Sequence, residues 1–250
     1  MARRKAQRRK GRNRRRRRSI RRILWRALGG GAAAALLLTV IPIALFRYVP
    51  PPTSAFMLLS RRADPATGQP CARIEQRWVP GDALPRNLAI AVLVAEDQRF
   101  VQHHGFDLKA ISDAVDDQRA GRRLRGASTV SQQVAKNLFL WPGRSLVRKA
   151  LEAWFTGWLE LLWTKQRILD VHLNFAQFGP CVFGAEAASQ RYFGHAANAL
   201  TPYQAALLAT VLPSPGNMRV DDPGPYTRER ALQILEAMEL PHGPGYLRGL

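Results

Sequence analysis

The chain has 250 residues, enough for one sizeable core with appendages and short for two independent domains. Of its 38 Lys and Arg, fifteen fall in residues 1–26, which hold no Asp or Glu; the rest of the chain carries 23 basic and 18 acidic residues, a net of +5 against +20 overall. The body is therefore an ordinary, mildly basic globular protein with a polycationic tail, and its composition excludes a disordered acidic chain.

In chain order, the tail comes first. A run such as Arg14–Arg18 can neutralise nucleic-acid phosphates, or it can stay on the cytoplasmic side and meet anionic lipid headgroups. The adjoining segment favours the second. Ala27–Phe46 is twenty residues without a charge, and a helix of that length spans roughly 30 Å, the hydrocarbon thickness of a bilayer. A polybasic tail abutting such a run reads as a single-pass anchor with its N-terminus cytoplasmic. A cleaved signal or a twin-arginine signal at Arg21-Arg22 are the alternatives; all of them place the rest of the chain on the extracytoplasmic side.

Pro50, Pro51 and Pro52 predict a stiff polyproline stalk. Turn signals at Asp64-Pro65 and Pro80-Gly81-Asp82 break residues 57–85, where one short extended piece at Ile74–Val79, and no further sheet, is expected. From Arg86 the pattern is helical. Expected helices run from Asn87 to Asp97, from an Asp107 cap to about Arg119, from Ser128 to Asn137 and from Ser145 to Trp163. Others run from a Thr164 cap to Asn174, from a Thr201–Gln204 capping box to Leu212, and from Thr227 to about Leu240. The organisation is a tail (1–26), a membrane helix (27–46), a stalk and lead-in segment (47–85) and an all-α domain (86–250) of about seven to nine helices. Phe155, Trp154, Trp158 and Trp163 on a central helix are read as core. Cys71 and Cys181 are a disulfide or two thiols; the sequence leaves both open.

Three constellations carry chemistry. Glu96 stands where an apolar helix meets a polar loop, so partial desolvation suits it to act as a base; a solvated helix-end cap is the plain alternative. His103 and His104 beside it are weak as metal ligands. Next, Gly126, Ser128 and Thr129 open a helix whose start would favour anions. Ser128, Gln132 and Lys136 are spaced by four, with Gln133 and Asn137 overlapping their face; a polar stripe without acids suits a phosphate or sugar ligand. Last, Arg144, Arg148 and Glu152 also recur every four residues, as a cationic face with one carboxylate or as plain surface ion pairs.

At these residues the chain resembles glycosyltransferase family 51, most closely its monofunctional biosynthetic peptidoglycan transglycosylases. The resemblance rests on EDQRFVQHHGFD (96–107), GASTVSQQVAKNLFL (126–140), RKALEA (148–153), KQRILDVHLNFAQFG (165–179) and QRYFGHAANALTPYQAALLATVLPSP (190–215), in the family's order. It implies a lysozyme-like α fold with a small membrane-dipping jaw, placed at Asp116–Arg125 with its Arg119, Arg122, Arg123 and Arg125. It implies lipid II and the growing glycan strand as substrates at the cytoplasmic membrane, β-1,4-linked strands as product, and undecaprenyl pyrophosphate as leaving group. By the same resemblance Glu96 is the general base and Glu152 the second acid, which holds a divalent cation (Mg2+ or Mn2+) with the pyrophosphate. Lys136 and Arg144 are then cations of the pyrophosphate site, Arg148 is a further substrate-binding residue, and Ser128, Gln132, Gln133 and Asn137 line the donor pocket.

Two residues depart from the family's pattern: His172 stands where Tyr is usual, and Gln177 where Glu is common. No transpeptidase segment is expected, and other cell-wall synthesis proteins are expected partners. Three rivals remain. A peptidoglycan-cleaving lysozyme-like enzyme would not need Lys136 and Arg144. A non-catalytic scaffold would not need Glu96 and Glu152. A nucleic-acid-binding membrane protein would need a basic, aromatic groove in the body.

Overall fold

The computed structural model of the chain describes residues 25–26, 29–31, 33–121, 126–240 and 244–248. The chain divides into two units, Met1–Leu45 and Phe46–Leu250. The first carries α1 (Gly29–Phe46), whose mean hydropathy of 2.0 and length are sufficient to cross a membrane. The basic run up to residue 24 lies outside the described residues.

The second unit is helical. Among the described residues it holds α2 (Ala55–Ser60), α3 (Arg86–Glu96), α4 (Leu108–Arg119), α5 (Val130–Phe139), α6 (Leu146–Leu162), α7 (Lys165–Phe175), α8 (Ala185–Phe193), α9 (Pro202–Val211) and α10 (Pro225–Glu239). Most starts follow local capping chemistry. Asp107 accepts from the Ala110 amide, Ser145 from Arg148 and Thr164 from Arg167, while Thr201 and Gln204 form a reciprocal box with Pro202 at the first helical position. Two starts differ from expectation. Thr129, not Ser128, caps α5, because its hydroxyl reaches the Gln132 amide in a capping box. α10 begins at Pro225, whose fixed φ suits the first helical turn, and Thr227 is buried inside it.

The core forms around two helices that are apolar on every side. All residues from Leu88 to Val94 of α3 and from Ala205 to Val211 of α9 are buried. α9 packs against α3 and α10, and α5 packs against α6 and α7. Phe155 stacks on Phe139 with ring centroids 4.7 Å apart, and Trp163 is buried. Trp154 is 44% exposed and Trp158 half-buried, so the expectation that all the α6 aromatics are core fails for these two.

The expectation of a single extended piece is also corrected. β1 (Glu75–Gln76) pairs in parallel with β3 (Val182–Phe183), and β2 (Gln177–Gly179) pairs antiparallel with β3, giving the order β1-β3-β2. The turn between β2 and β3 holds Cys181 at a φ of 59°, and its sulfur is bonded to Cys71, with Cα atoms 5.7 Å apart. The two cysteines are therefore a disulfide. Buried Asp64 braces the same turn: it accepts from the Cys181 amide at 2.7 Å, from the Ala66 amide at 3.0 Å and from Gln177 Nε2. Arg167 donates to the Val49 carbonyl at 2.9 Å and lies over the Trp78 ring, which holds the stalk residues to the body.

The bridge closes a loop across 110 residues of sequence. Cys71→Ser with Cys181→Ser should cost about 2–4 kcal/mol by removing a long-loop constraint on the unfolded chain. The melting temperature of the pair variant should then fall by roughly 5–15 °C, measured by thermal unfolding under oxidising conditions.

Candidate active site

Glu96 is the last residue of α3, and the chain leaves the helix at Asp97. The loop beyond it is anchored from within. Asp97 is 7% exposed and accepts from His103 Nε2 at 2.9 Å and from the Val130 amide at 3.0 Å. The Gly105 amide donates to His103 Nδ1, which leaves Nε2 as the protonated nitrogen facing Asp97. Thr129 Oγ1 in turn donates to the Gly105 carbonyl at 2.7 Å. Gly105 has a φ of +87°, and a Cβ there would meet the Thr156 methyl of α6 at 2.8 Å. His103 is thus a strut rather than a metal ligand, and His104 is exposed.

These bonds set the role of the α5 start. Two of the amides expected to favour an anion are occupied, that of Val130 by Asp97 and that of Gln132 by Thr129 Oγ1. Gln132 is 5% exposed and its Oε1 accepts from the Thr129 amide, so it caps the helix instead of facing a ligand. Ser128 is exposed and precedes the helix. The polar face is therefore Gln133, Lys136 and Asn137, which line a cavity of about 270 Å³ with Phe56 and the 213–217 loop.

Gln133 ties this cavity to Glu96, donating from Nε2 to Glu96 Oε2 at 2.6 Å. Burial raises the Glu96 carboxyl above its usual range; the Gln133 hydrogen bond and the charges of Lys136 and Arg230 oppose it. On its other side Glu96 borders a cleft of about 510 Å³ shared with Ser128, Asp113 and Arg230. Lys136 makes no ion pair among the described residues; its ammonium lies 5.7 Å from the Phe56 ring centroid. Burial lowers its pKa, against the attraction of Glu152 and Glu96.

The third constellation divides. Arg148 and Glu152 are both buried and bonded at 2.6 Å, and Lys149 holds the other Glu152 oxygen at 2.5 Å. Lys149 also reaches Ser128 Oγ at 3.4 Å. Arg144 does not share their face: it is exposed and lies before the Ser145 cap, outside α6. Both Glu152 oxygens are engaged by cations, and among the described residues no second carboxylate joins it, so this set does not fit a divalent ion held by the protein. The one His/Cys/Asp/Glu group close enough to ligate an ion, among the described residues, is Asp64 with Cys71 and Cys181, whose sulfurs are bonded to each other. Of the jaw arginines, Arg119 ends α4 and pairs with Asp116, while Arg122, Arg123 and Arg125 lie outside the described residues.

Lys149, Arg230 and Phe56 join the site without having been singled out from the sequence. Lys149 stands three residues before Glu152, a spacing that pairs charges on a helix, so a signal existed. Arg230 reaches Glu96 because α10 packs on α3, which no local pattern records.

A half-buried carboxylate whose ionisation is disfavoured by burial, a half-buried ammonium without an ion-pair partner among the described residues, and a carboxylate neutralised by two cations sit along one helical seam. Such an arrangement is suited to transfer of a group from an anionic leaving group. The chain belongs to the transglycosylase family, whose model matches residues 66–239. It is similar to the biosynthetic peptidoglycan transglycosylase of Pseudomonas aeruginosa, 50% identical over 83% of this chain and 89% of the relative. The proteins of that name from Aeromonas hydrophila and Xanthomonas oryzae are each 47% identical, over 80% and 83% of this chain and 83% and 85% of their own.

Because folding raises the Glu96 pKa, ionisation costs stability as pH rises from its unfolded through its folded value. Glu96→Gln removes that cost, so its melting temperature at neutral pH should equal or exceed the wild type's. Gln133→Ala removes a bond that favours the carboxylate, and the acidic limb of the pH–rate profile should move to higher pH. Glu152→Ala strands buried Arg148 and should cost about 3–5 kcal/mol in urea unfolding. The added change Arg148→Met should recover most of that stability and none of the lost activity.

Proposed function

We propose that this enzyme polymerises lipid II into β-1,4-linked glycan strands, releasing undecaprenyl pyrophosphate and carrying out no peptide cross-linking itself. The observation that carries the reading is Glu96, partly desolvated and held by Gln133, within electrostatic reach of the half-buried ammonium of Lys136. Glu96 takes the proton from the 4-hydroxyl of the acceptor sugar. The freed oxygen attacks C1 of the donor strand's terminal sugar, the bond from C1 to the pyrophosphate oxygen breaks with its electrons leaving on that oxygen, and the anomeric centre inverts. Lys136 meets the charge that develops on the leaving group, and the Arg148–Glu152–Lys149 cluster presents further cations in a fixed geometry. Asn137 and Gln133 line the cavity where a sugar or phosphate would hydrogen-bond. Ser128 borders the same cleft as Glu96, and exposed Arg144 is free to meet an anionic substrate from solvent.

The substrate's lipid tail explains the anchor. α1 has the length and apolarity for a single pass, and the polybasic tail before it favours the cytoplasmic side. The Cys71–Cys181 bridge fits an oxidising, extracytoplasmic compartment for the catalytic body. Lipid II, the nascent strand and the membrane are then its partners, with other cell-wall synthesis proteins supplying the cross-links.

The test is incubation of the purified full-length protein with labelled lipid II, and separately with finished peptidoglycan. Strands should form from lipid II, and finished peptidoglycan should stay intact. Glu96→Gln should lower polymerisation by about 10²–10⁴-fold, and Lys136→Ala should lower it as well. Cleavage of finished peptidoglycan without polymerisation would move the assignment to a hydrolase.

A further inference from the structure

His172 lies on α7, the helix that packs against α5. Its side chain is 2% exposed, and neither Nδ1 nor Nε2 has a hydrogen-bond partner among the described residues. Buried polar groups are nearly always satisfied, so an imidazole with both nitrogens open needs an explanation. The one charged group that acts on the ring is Lys136, on the facing helix. Burial, and then the Lys136 charge, pushes the His172 pKa down to about 4, so at neutral pH the ring is uncharged and one nitrogen carries a lone pair. Lys136 has three N–H donors and makes no ion pair among the described residues; its ammonium lies over the Phe56 ring. An open acceptor and an open donor set thus sit on neighbouring faces of two packed helices, next to the cavity that Lys136 and Ala176 line.

We propose that His172 is a positioning residue for Lys136 once an anion enters the cavity: its lone-pair nitrogen, unpartnered among the described residues, then accepts one N–H of the ammonium and leaves the other two for the anionic oxygens. A neutral acceptor suits this task better than a carboxylate. It orients the ammonium without cancelling the charge that a pyrophosphate must feel. Glu152 shows the contrast, since its charge is already engaged by Arg148 and Lys149. The inference rests on the reading of Lys136 as the cation that meets the leaving pyrophosphate.

The experiment measures kcat and KM for labelled lipid II, with melting temperatures, on the full-length protein. His172→Phe should lower kcat/KM roughly tenfold without lowering the melting temperature, because it removes an unsatisfied buried group. His172→Gln, which returns a neutral acceptor, should restore most of the rate. On a Lys136→Ala background His172→Phe should add no further loss, as for two residues acting through one interaction. If His172→Phe does not fold, His172→Leu carries the same expectations. Wild-type kcat/KM in the Phe or Leu variant, no rescue by Gln, or a loss that adds fully to that of Lys136→Ala would overturn the inference while leaving Lys136 its role. Wild-type activity in Lys136→Ala would overturn the pyrophosphate reading itself, and this inference with it.

Discussion

Asp97 carries one buried charge and divides it between two elements far apart in sequence. One bond goes to His103 in the loop after α3, and the other to the first amide of α5. A helix end and a helix start are thereby joined across 33 residues, and the partial positive charge of the α5 N-terminus meets a carboxylate. Everything in the site depends on that junction. It places Glu96, the neighbour of Asp97, against Gln133, one turn into α5. It also fixes Thr129 as the cap, and the cap decides which face of α5 looks into the cavity.

The charges around this junction are treated in three ways, and the differences have chemical meaning. Asp97 is buried, and both of its oxygens are engaged by His103 and the Val130 amide. Glu152 is neutralised twice over and holds its cations still. Glu96 and Lys136 are the exceptions: burial pushes each toward its uncharged form, and each is within electrostatic reach of the other. A carboxyl whose ionisation is costly gains when it takes a proton, and an ammonium without an anion gains when one arrives. The transfer of a sugar from a pyrophosphate offers both gains in a single step.

Much of this was legible in the sequence, because caps and apolar runs are local. Asp107, Ser145, Thr164 and the Thr201–Gln204 box each mark a helix start that needs no tertiary partner. The family's blocks suggested Glu96, Lys136 and Glu152 for one site, and the structure brings both carboxylates within electrostatic reach of Lys136. Spacing by four failed at two helix starts. Ser128 fell outside α5 because Thr129 caps it one residue later than expected, and Arg144 lay before the Ser145 cap that the sequence itself marks, so spacing alone could not carry it onto the α6 face. Gln132 was polar and on the helix, yet its side chain closed the cap. The pairing of β1 with β3 and the disulfide were hidden for a different reason: both join segments about a hundred residues apart, and no local pattern records such a pairing.

The departure at Gln177 belongs to that same long-range assembly. The family commonly has Glu at this position. Here the side-chain amide donates to Asp64, whose two carboxylate oxygens already take the amides of Ala66 and Cys181. The same amide nitrogen also donates to the Gly179 carbonyl at 3.1 Å. An ionised Glu would set a second carboxylate against Asp64 in a buried pocket and would bring acceptors where both neighbours require donors. The amide resolves both conflicts at once. Gln177 also lines the cavity beside Lys136, so the residue that braces the disulfide-bearing turn forms part of the site's wall. The lead-in segment is thus part of the folded body rather than a spacer: Pro65 and Ala66 line the cavity, Asp64 braces them against the β2–β3 turn, and the bridge at Cys71 holds them there.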